Sequence, residues 1–575
     1  MRGAAREVSR AAWVAALALV ALFLQAWPAI RLKSPTFDEP AHIAAGLSYL
    51  RTGDFKINLQ HPPLLKEIAA LPLVLVGTRF PVAPADWDRI GSDPDPALQW
   101  DIGGQILEQN DPGRIMLLTR LPFLLLTLLL VWTVFTWGRG MIGPWPAAAA
   151  TLLCALDPTI VSHGVLVTTD TGFALCALLF AWALWRFLNH RSLQRLILCG
   201  LALGAGLGAK FSGVLLLPLA VVLLLWATRL IPSAVPRQSS SLVDPYASEE
   251  GAPRIVWCLL CFTALLAIAA VVVQLLYFLP HNPFLYLRGI GLVNADHDPT
   301  YFPYLAGRFA PRFWSYYVVG YLLKEPLPAI LLALVGAIAL LRRGSATPVM
   351  EKLFLLLPPA ALFLFYSAVS HNLGFRYVIP ALPFLHLAGG VGARALWESG
   401  SLLKRAGLAL LGLWLVANAW GIQPDQLSYF NEAACLLDDP ARVGIDAGSA
   451  CGPMWLDDSN VDWGQGLKQL KAWLDANAPG RRIGLAYFGT SRPEAYGIVS
   501  DRVVGRDLER GLAPGLYAVS AHLLARTQGR LAERYGRGPG NWIRHVAPVA
   551  VVGHAYFIYE IGAPGAPLAY RPAGP

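Results

Sequence analysis

The chain has 575 residues, of which 55% are hydrophobic and only 14% charged, and it carries a formal net charge of +9. So little charge excludes an ordinary soluble enzyme. The positive excess is what cytoplasmic loops and anionic lipid call for, so no nucleic-acid partner is expected.

The apolar residues fall in blocks suited to the roughly 20-residue helix that crosses about 30 Å of hydrocarbon, and a polytopic α-helical membrane protein is expected. The first block, AAWVAALALVALFLQAWPAI, fills the positions between Arg10 and Arg31. It exceeds the about 7–15-residue core of a signal peptide and reads as a retained helix. With the segments 115–137, 144–157, 171–187, 193–209, 211–228, 255–279, 326–341, 352–370, 377–393 and 406–420 it makes eleven expected spans. If the basic N-terminus MRGAAREVSR is cytoplasmic, the even-numbered spans return to the cytoplasm. Their ends carry Arg139, then Arg186, Arg191 and Arg195, then Arg229, then Arg342 and Arg343, then Arg394, Lys404 and Arg405. All follow the positive-inside bias.

The same frame places 31–114, the short turns near 158–170 and 210, the segment 280–325, the turn around 371–376 and everything after 420 outside. There it collects Asp38, Glu39, His42, His61, Lys66, Asp157, His163, Asp170, Lys210, His281, Asp296, Lys324, His371 and Arg376. Within 31–114, PAHIAAGLSYLRTG and PLLKEIAALPLVLVG have the periodicity of helices lying in the membrane interface. VPRQSSSLVDPYASEEGAPR reads as a flexible cytoplasmic linker. No internal repeat suggests an inverted-topology transporter.

After residue 420 the texture is that of a soluble α/β domain, so the expected division is 1–420 and 421–575. RRIGLAYFG, PGLYAVSA and AVVGHAYFIYEI look like strands, and WGQGLKQLKAWLDANA and HLLARTQGRLAERYG like helices. Five of the seven cysteines lie in apolar spans. Cys435 and Cys451 lie in the exported part, where a disulfide and two free thiols are both open.

The stretch SPTFDEPAH opens the first outer segment. Thr36 and Glu39 fit a capping box, or Pro40 is the first helical residue and Glu39 the cap. Neither account needs Asp38, which is left for chemistry. In INLQHPPLLKEI, His61-Pro62-Pro63 fixes an extended turn that delivers Lys66. Lys66, Lys210, Lys324 and Arg376 then place cations at the outer ends of separate segments. They serve either as independent headgroup anchors or as a shared phosphate site. A carboxylate beside such a site suggests group transfer from a lipid phosphate.

FDEPAHIAAG together with HPPLLK resembles the lipid-phosphate-sugar-dependent glycosyltransferases of the GT-C class, with the protein O-mannosyltransferases and the lipid A aminoarabinose transferases as relatives. VSHGVLVTTDTGFALCALLF, GLGAKFSGVLLLP, KEPLP and FRYVIPALPF fit the same pattern, so the likeness spans most of residues 10–420. The resemblance implies a GT-C-like fold and inverting transfer of a hexosyl or pentosyl group. The donor would be a polyprenyl-phosphate sugar, and the acceptor a hydroxyl on a lipid, glycan or protein, at the outer face of a bacterial inner membrane. It also implies that Asp38 is the catalytic base or acceptor-orienting group and that Glu39 matches the second acid of the mannosyltransferase pair. Lys66, in the His61 motif, and Arg376 would be lipid-phosphate contacts. Lys210 and Lys324 would be further phosphate or site-shaping residues, and Asp170 would lie near acceptor or sugar. His61 is counted with the substrate-binding set. No obligatory metal or other cofactor is expected, because adjacent Asp38 and Glu39 are not a spaced Asp-x-Asp pair and the cations supply the electrostatics.

LSYFNEAAC and LDDSNVDWGQGLKQLKAWL resemble a C-terminal region of uncharacterised bacterial members of this superfamily. There Asn431, Asp458, Asn460 and Asp462 read equally as sugar contacts and as turn or cap residues. Two other functions stay open: transfer of a phosphate-containing group to lipid, and a lipid or polyprenyl-phosphate-sugar flippase without covalent transfer.

Overall fold

In the computed structural model, which describes residues 2–91, 95–230, 251–293, 300–437, 439–536, 538 and 540–562, every expected span is helical. Among the described residues seven helices are long and apolar enough to cross a membrane: Arg6–Leu32, Pro112–Met141, Asp170–Asn189, Ile255–Leu276, Val349–Val369, Phe375–Glu398 and Leu402–Gly421. An eighth span is formed if Tyr316–Lys324 and Leu327–Leu341 count together; they meet at 116° around Glu325 and Pro326. The chain is therefore a multi-pass α-helical membrane protein.

Three of the eleven expected spans are shorter than this. Pro144–Ala155 has 12 residues, about 18 Å of helix at 1.5 Å per residue. Leu193–Ala209 and Phe211–Ala227 are apolar but likewise short. They are held by protein as much as by lipid. On Leu193–Ala209, Gly200, Gly204 and Gly208 recur every fourth residue, and a Cβ at each would lie 2.7, 2.5 and 2.2 Å from Ile268, Val272 and Leu276. Small residues at this spacing let two helices pack at close range where lipid gives no hydrophobic drive.

The first loop also departs from expectation. Glu39–Thr52 is a helix, but Glu39 through Tyr49 are all buried, so it is enclosed by protein instead of lying on the membrane surface. A Cβ on Gly46 would sit 2.0 Å from the Lys66 carbonyl oxygen, and one on Gly103 would sit 2.3 Å from that of Pro40. These two glycines let helices Leu64–Leu75 and Leu98–Gln109 clasp it. Leu64–Leu75 keeps an apolar side open through Leu71 and Leu75, as an interfacial helix does. Most of the expected linker, 235–250, and Asp296 lie outside the described residues.

Beyond Gly421 the chain first runs across the end of the bundle that carries the first loop, held by the Cys435–Cys451 disulfide. It then forms a five-stranded sheet. Ile483–Ala486 runs parallel to Ser500–Arg502 on one side and to Gly515–Ser520 on the other. Tyr556–Ile561 pairs antiparallel with Gly515–Ser520, and Ala550–Val552 with Tyr556–Ile561. Helices Leu467–Asn477 and Ala521–Tyr535 accompany the sheet.

His554, in the turn before the strand Tyr556–Ile561, ties the sheet to the bundle. Its Nδ1 is 2.9 Å from Asp425 and its Nε2 2.9 Å from Asp446. Asp425 in turn pairs with Lys33 at the foot of the first helix. Despite burial, these two carboxylates raise His554 from 6.5 to about 9. A group protonated more tightly in the folded state stabilises it below the unfolded pKa near 6.5, and that contribution disappears as pH rises through about 9; a shift of this size is worth on the order of 3 kcal/mol. In thermal melts of the detergent-purified protein, the wild-type advantage over His554→Gln is expected to be full at pH 6 and to vanish by pH 10. A constant difference across that range would refute the pairing.

Candidate functional site

The site begins where the first helix ends. Residues 33–36 link the two helices without regular structure, and the tail holds them there. Phe37 N donates to the Trp463 carbonyl at 2.8 Å and Ser34 N to that of Gln465 at 3.0 Å. Helix Glu39–Thr52 starts with Pro40 in its first turn, and Asp38, at its N-cap, makes no side-chain capping bond. Glu39 does take the cap role, accepting from Thr36 N at 2.8 Å and Thr36 Oγ1 at 3.1 Å. Asp38 instead reaches Arg376, whose Nη1 donates to its Oδ2 at 3.0 Å.

Arg376 lies on the 3-10 turn Phe375–Ala381, which is set by Gly374 at φ 128°. Its guanidinium carbon is 4.2 Å from the centre of the Trp463 ring and 5.6 Å from that of Tyr377. On its other side Asp170 Oδ2 lies 3.9 Å away. Asp170 opens helix Asp170–Asn189 and pairs with Lys210, whose ammonium sits 4.6 Å over the Tyr377 ring. Two acids and two cations thus alternate in the order Asp38, Arg376, Asp170, Lys210. The side chains of Asp38 and Arg376 are 23% and 16% exposed and that of Asp170 1%. The Asp38–Arg376 end is therefore the one a ligand can reach.

The electrostatics follow from burial. Burial raises the Asp38 carboxyl above its ordinary value even though Arg376 pulls it down, with Asp458 and Asp170 adding to the rise. His42 and His61 lie beside the cluster with ring centres 5.1 Å apart and planes tilted by 39°. Burial and the nearby Lys66 hold His42 down to about 3, and burial keeps His61 well below its ordinary value. Both are neutral imidazoles, able to donate and accept hydrogen bonds without adding charge. Arg376 Nε, Asp170 Oδ2, His163 Nδ1, Thr168 Oγ1 and Thr171 Oγ1 are buried without hydrogen-bond partners. Native proteins seldom leave such groups unmatched, and here they gather in one place. An apolar groove opens between helices, lined by Phe173, Leu216, Leu219, Leu357, Leu362 and Phe365. One of these, Phe173, follows Asp170 by about one helical turn on the same helix.

Three expected binding residues lie elsewhere. Glu39 is fully buried in a two-point pair with Arg120, Nε to Oε1 at 2.8 Å and Nη2 to Oε2 at 2.6 Å, and also accepts from Val167 N at 3.0 Å. No acceptor oxygen is left for substrate. Lys66 is equally buried and donates to Tyr49 Oη, to the Asn58 and His61 carbonyls and to Asn58 Oδ1. An ammonium has three donors, so Lys66 is saturated by the loop it shapes. Lys324 donates to the Leu427 and Asn460 carbonyls at 2.8 and 2.7 Å, anchoring the tail instead of a phosphate.

The tail supplies Trp463, which the sequence reading did not single out, and the bundle supplies Arg120 and Tyr377, which it did not single out either. A lone arginine in the apolar run IMLLTRLPFLLL was the available signal for Arg120. Of the four Asx residues weighed, Asn431, Asn460 and Asp462 serve the backbone: Asn431 Nδ2 donates to the Leu322 and Glu325 carbonyls, Asn460 Oδ1 accepts from Phe375 N, and Asp462 Oδ1 accepts from Gly464 N. Only Asp458 of the four remains half-buried and within electrostatic range of Asp38 and Arg376.

Residues 113–243 match the family model described as dolichyl-phosphate-mannose-protein mannosyltransferase, and over that stretch the resemblance read from the sequence is confirmed. No curated protein matches the chain. Among solved structures the chain is similar to ArnT from Cupriavidus metallidurans in the apo state, with 14% identity over 95% of this chain and 97% of that one, at a TM-score of 0.47. The same protein bound to undecaprenyl phosphate matches at 14% identity over 97% and 99%, TM-score 0.43. The archaeal oligosaccharyltransferase AglB from Archaeoglobus fulgidus, in complex with an inhibitory peptide and a dolichol-phosphate, matches at 12% identity, 81% of this chain and 58% of that one, TM-score 0.41.

Proposed function

We propose that this protein is a glycosyltransferase that moves a sugar from a polyprenyl-phosphate donor to an acceptor hydroxyl with inversion, at the outer face of a bacterial inner membrane. The family match over 113–243 supports the donor class. The observation that carries the reading is the Asp38–Arg376 pair, a reachable acid against a cation whose Nε is still free. A phosphate arriving there takes over Arg376 and Lys210, which releases Asp38 toward the acceptor. The prenyl chain lies in the apolar groove.

In the reaction the acceptor oxygen attacks the anomeric carbon from the side opposite the phosphate. The bond from that carbon to the phosphate oxygen breaks, its electron pair leaves with the phosphate, and Asp38 receives the acceptor proton. Arg376 and Lys210 stabilise the charge that builds on the leaving oxygen. A single displacement needs no second carboxylate nucleophile, which suits a site where Asp170 is engaged by Lys210.

The purified protein is to be incubated with a panel of polyprenyl-phosphate sugars and membrane extract, with products read by mass spectrometry. A mass increase of one sugar on lipid, glycan or protein is the expected result and identifies the acceptor. Addition of a phosphate-bearing group, or lipid flux in proteoliposomes with no covalent product, would overturn the proposal.

A further inference from the structure

A second polar cluster lies away from the Asp38–Arg376 pair, at the elbow where the bundle is most sharply bent. Asp157 caps helix Pro158–His163, its Oδ1 accepting from Thr159 N at 2.7 Å and Ile160 N at 3.3 Å. Glu325 sits at the 116° elbow between Tyr316–Lys324 and Leu327–Leu341. His386 projects from helix Leu382–Glu398, with its Nε2 3.2 Å from Asp157 Oδ2 and 4.0 Å from Glu325 Oε2. All three side chains are at most 4% exposed. One ligand atom from each lies within 4.8 Å of the others, and among the described residues no other group of three meets this condition.

Each of the three side chains keeps an unused polar atom. Asp157 Oδ2, Glu325 Oε1 and His386 Nδ1 are buried without hydrogen-bond partners. The adjacent Lys324 attracts the two carboxylates but gives its ammonium to two tail carbonyls and donates to neither acid. Two carboxylates buried side by side are costly. A proton shared between them would ease the charge and leave the imidazole a single contact, whereas one divalent cation balances both charges and engages all three side chains.

We propose that Asp157, Glu325 and His386 bind a divalent transition-metal ion, Zn²⁺ or Mn²⁺, as a structural staple. One imidazole with two carboxylates is a donor set both ions accept. Bonds of about 2.0–2.2 Å in tetrahedral geometry put ligand atoms roughly 3.4 Å apart, so the His386–Asp157 pair already fits at 3.2 Å and Glu325 closes by up to about 1.4 Å to complete the site. The ion joins three segments far apart in sequence and fixes the elbow that carries Lys324. Through Lys324 and Asn460 it steadies the tail segment that supplies Trp463 to Arg376.

The test uses the full-length, tag-free protein in detergent, stripped with chelator, reloaded with Zn²⁺ or Mn²⁺ and dialysed. Elemental analysis is expected to find one equivalent per chain, with affinity lowered by about tenfold or more in His386→Gln and in Glu325→Gln. Reloading should raise the melting temperature of the wild type and of neither variant. Substoichiometric metal in the reloaded wild type, full retention by both variants, or a melting temperature that follows pH and ignores metal, as a shared proton alone would give, overturns the proposal. If the variants do not fold, Co²⁺-loaded wild type decides: d–d absorption bands in one-to-one titration support the site, and their absence refutes it.

Discussion

Asp38→Asn is expected to lower sugar transfer by about 10²–10⁴-fold, the usual contribution of a positioned base, while the donor binds as well as before or more tightly. The asparagine keeps the shape and the hydrogen-bond acceptor that faces Arg376 but removes the charge competing with phosphate for that guanidinium. Loss should therefore fall on kcat, with the KM for the polyprenyl-phosphate sugar unchanged or reduced, as measured by radiolabel transfer and donor titration. The pH profile gives an independent check. A base works only when deprotonated, and burial raises the Asp38 carboxyl. Activity of the wild type should then fall on the acid side at a pH above the ordinary aspartate range, and the residual activity of the variant should lack that limb. An equal loss of donor binding would show that Asp38 only holds Arg376 in place.

Much of this arrangement was legible because it depends on local composition. Apolar blocks announce helices, and a capping motif that leaves one acid over points to that acid; the structure does leave Asp38 uncapped. Which cations are available was not legible, because it depends on carbonyl groups brought near by folding. Lys66 and Arg376 look alike in sequence, each beside proline or aromatic residues. Lys66 meets the carbonyls of Asn58 and His61 and is consumed, while Arg376 meets Asp38 across 338 residues and keeps its Nε free. The enclosed helix Glu39–Thr52 was misread for a similar reason. Its few polar interruptions resemble an interfacial pattern, and only Gly46 and Gly103, which admit neighbouring backbones, signalled that protein covers it. Trp463 lies in a tail whose return over the first loop rests on backbone hydrogen bonds, which leave no mark on side-chain pattern.

Arg120→Met is expected to destabilise the protein by about 3–5 kcal/mol, the range for removing one partner of a buried ion pair. Both Arg120 and Glu39 are fully inaccessible. The substitution leaves a carboxylate with only Thr36 and Val167 as donors. It also removes the hydrogen bonds from Arg120 to the carbonyls of Ile30, Lys33 and Ser34. Those bonds fix the chain just before Asp38, so Arg120 acts on the site through the backbone and not through substrate. The double substitution Arg120→Met with Glu39→Met separates these effects. Replacing both charges by apolar groups is often near neutral for stability, so melting temperature and folded yield in detergent should largely recover. Transfer should not, because the carbonyls around residue 33 still lack their donor and Asp38 loses its fixed approach to Arg376. Recovery of both stability and transfer in the double variant would mean that the pair is a dispensable packing unit and that the tail alone holds Asp38 in position.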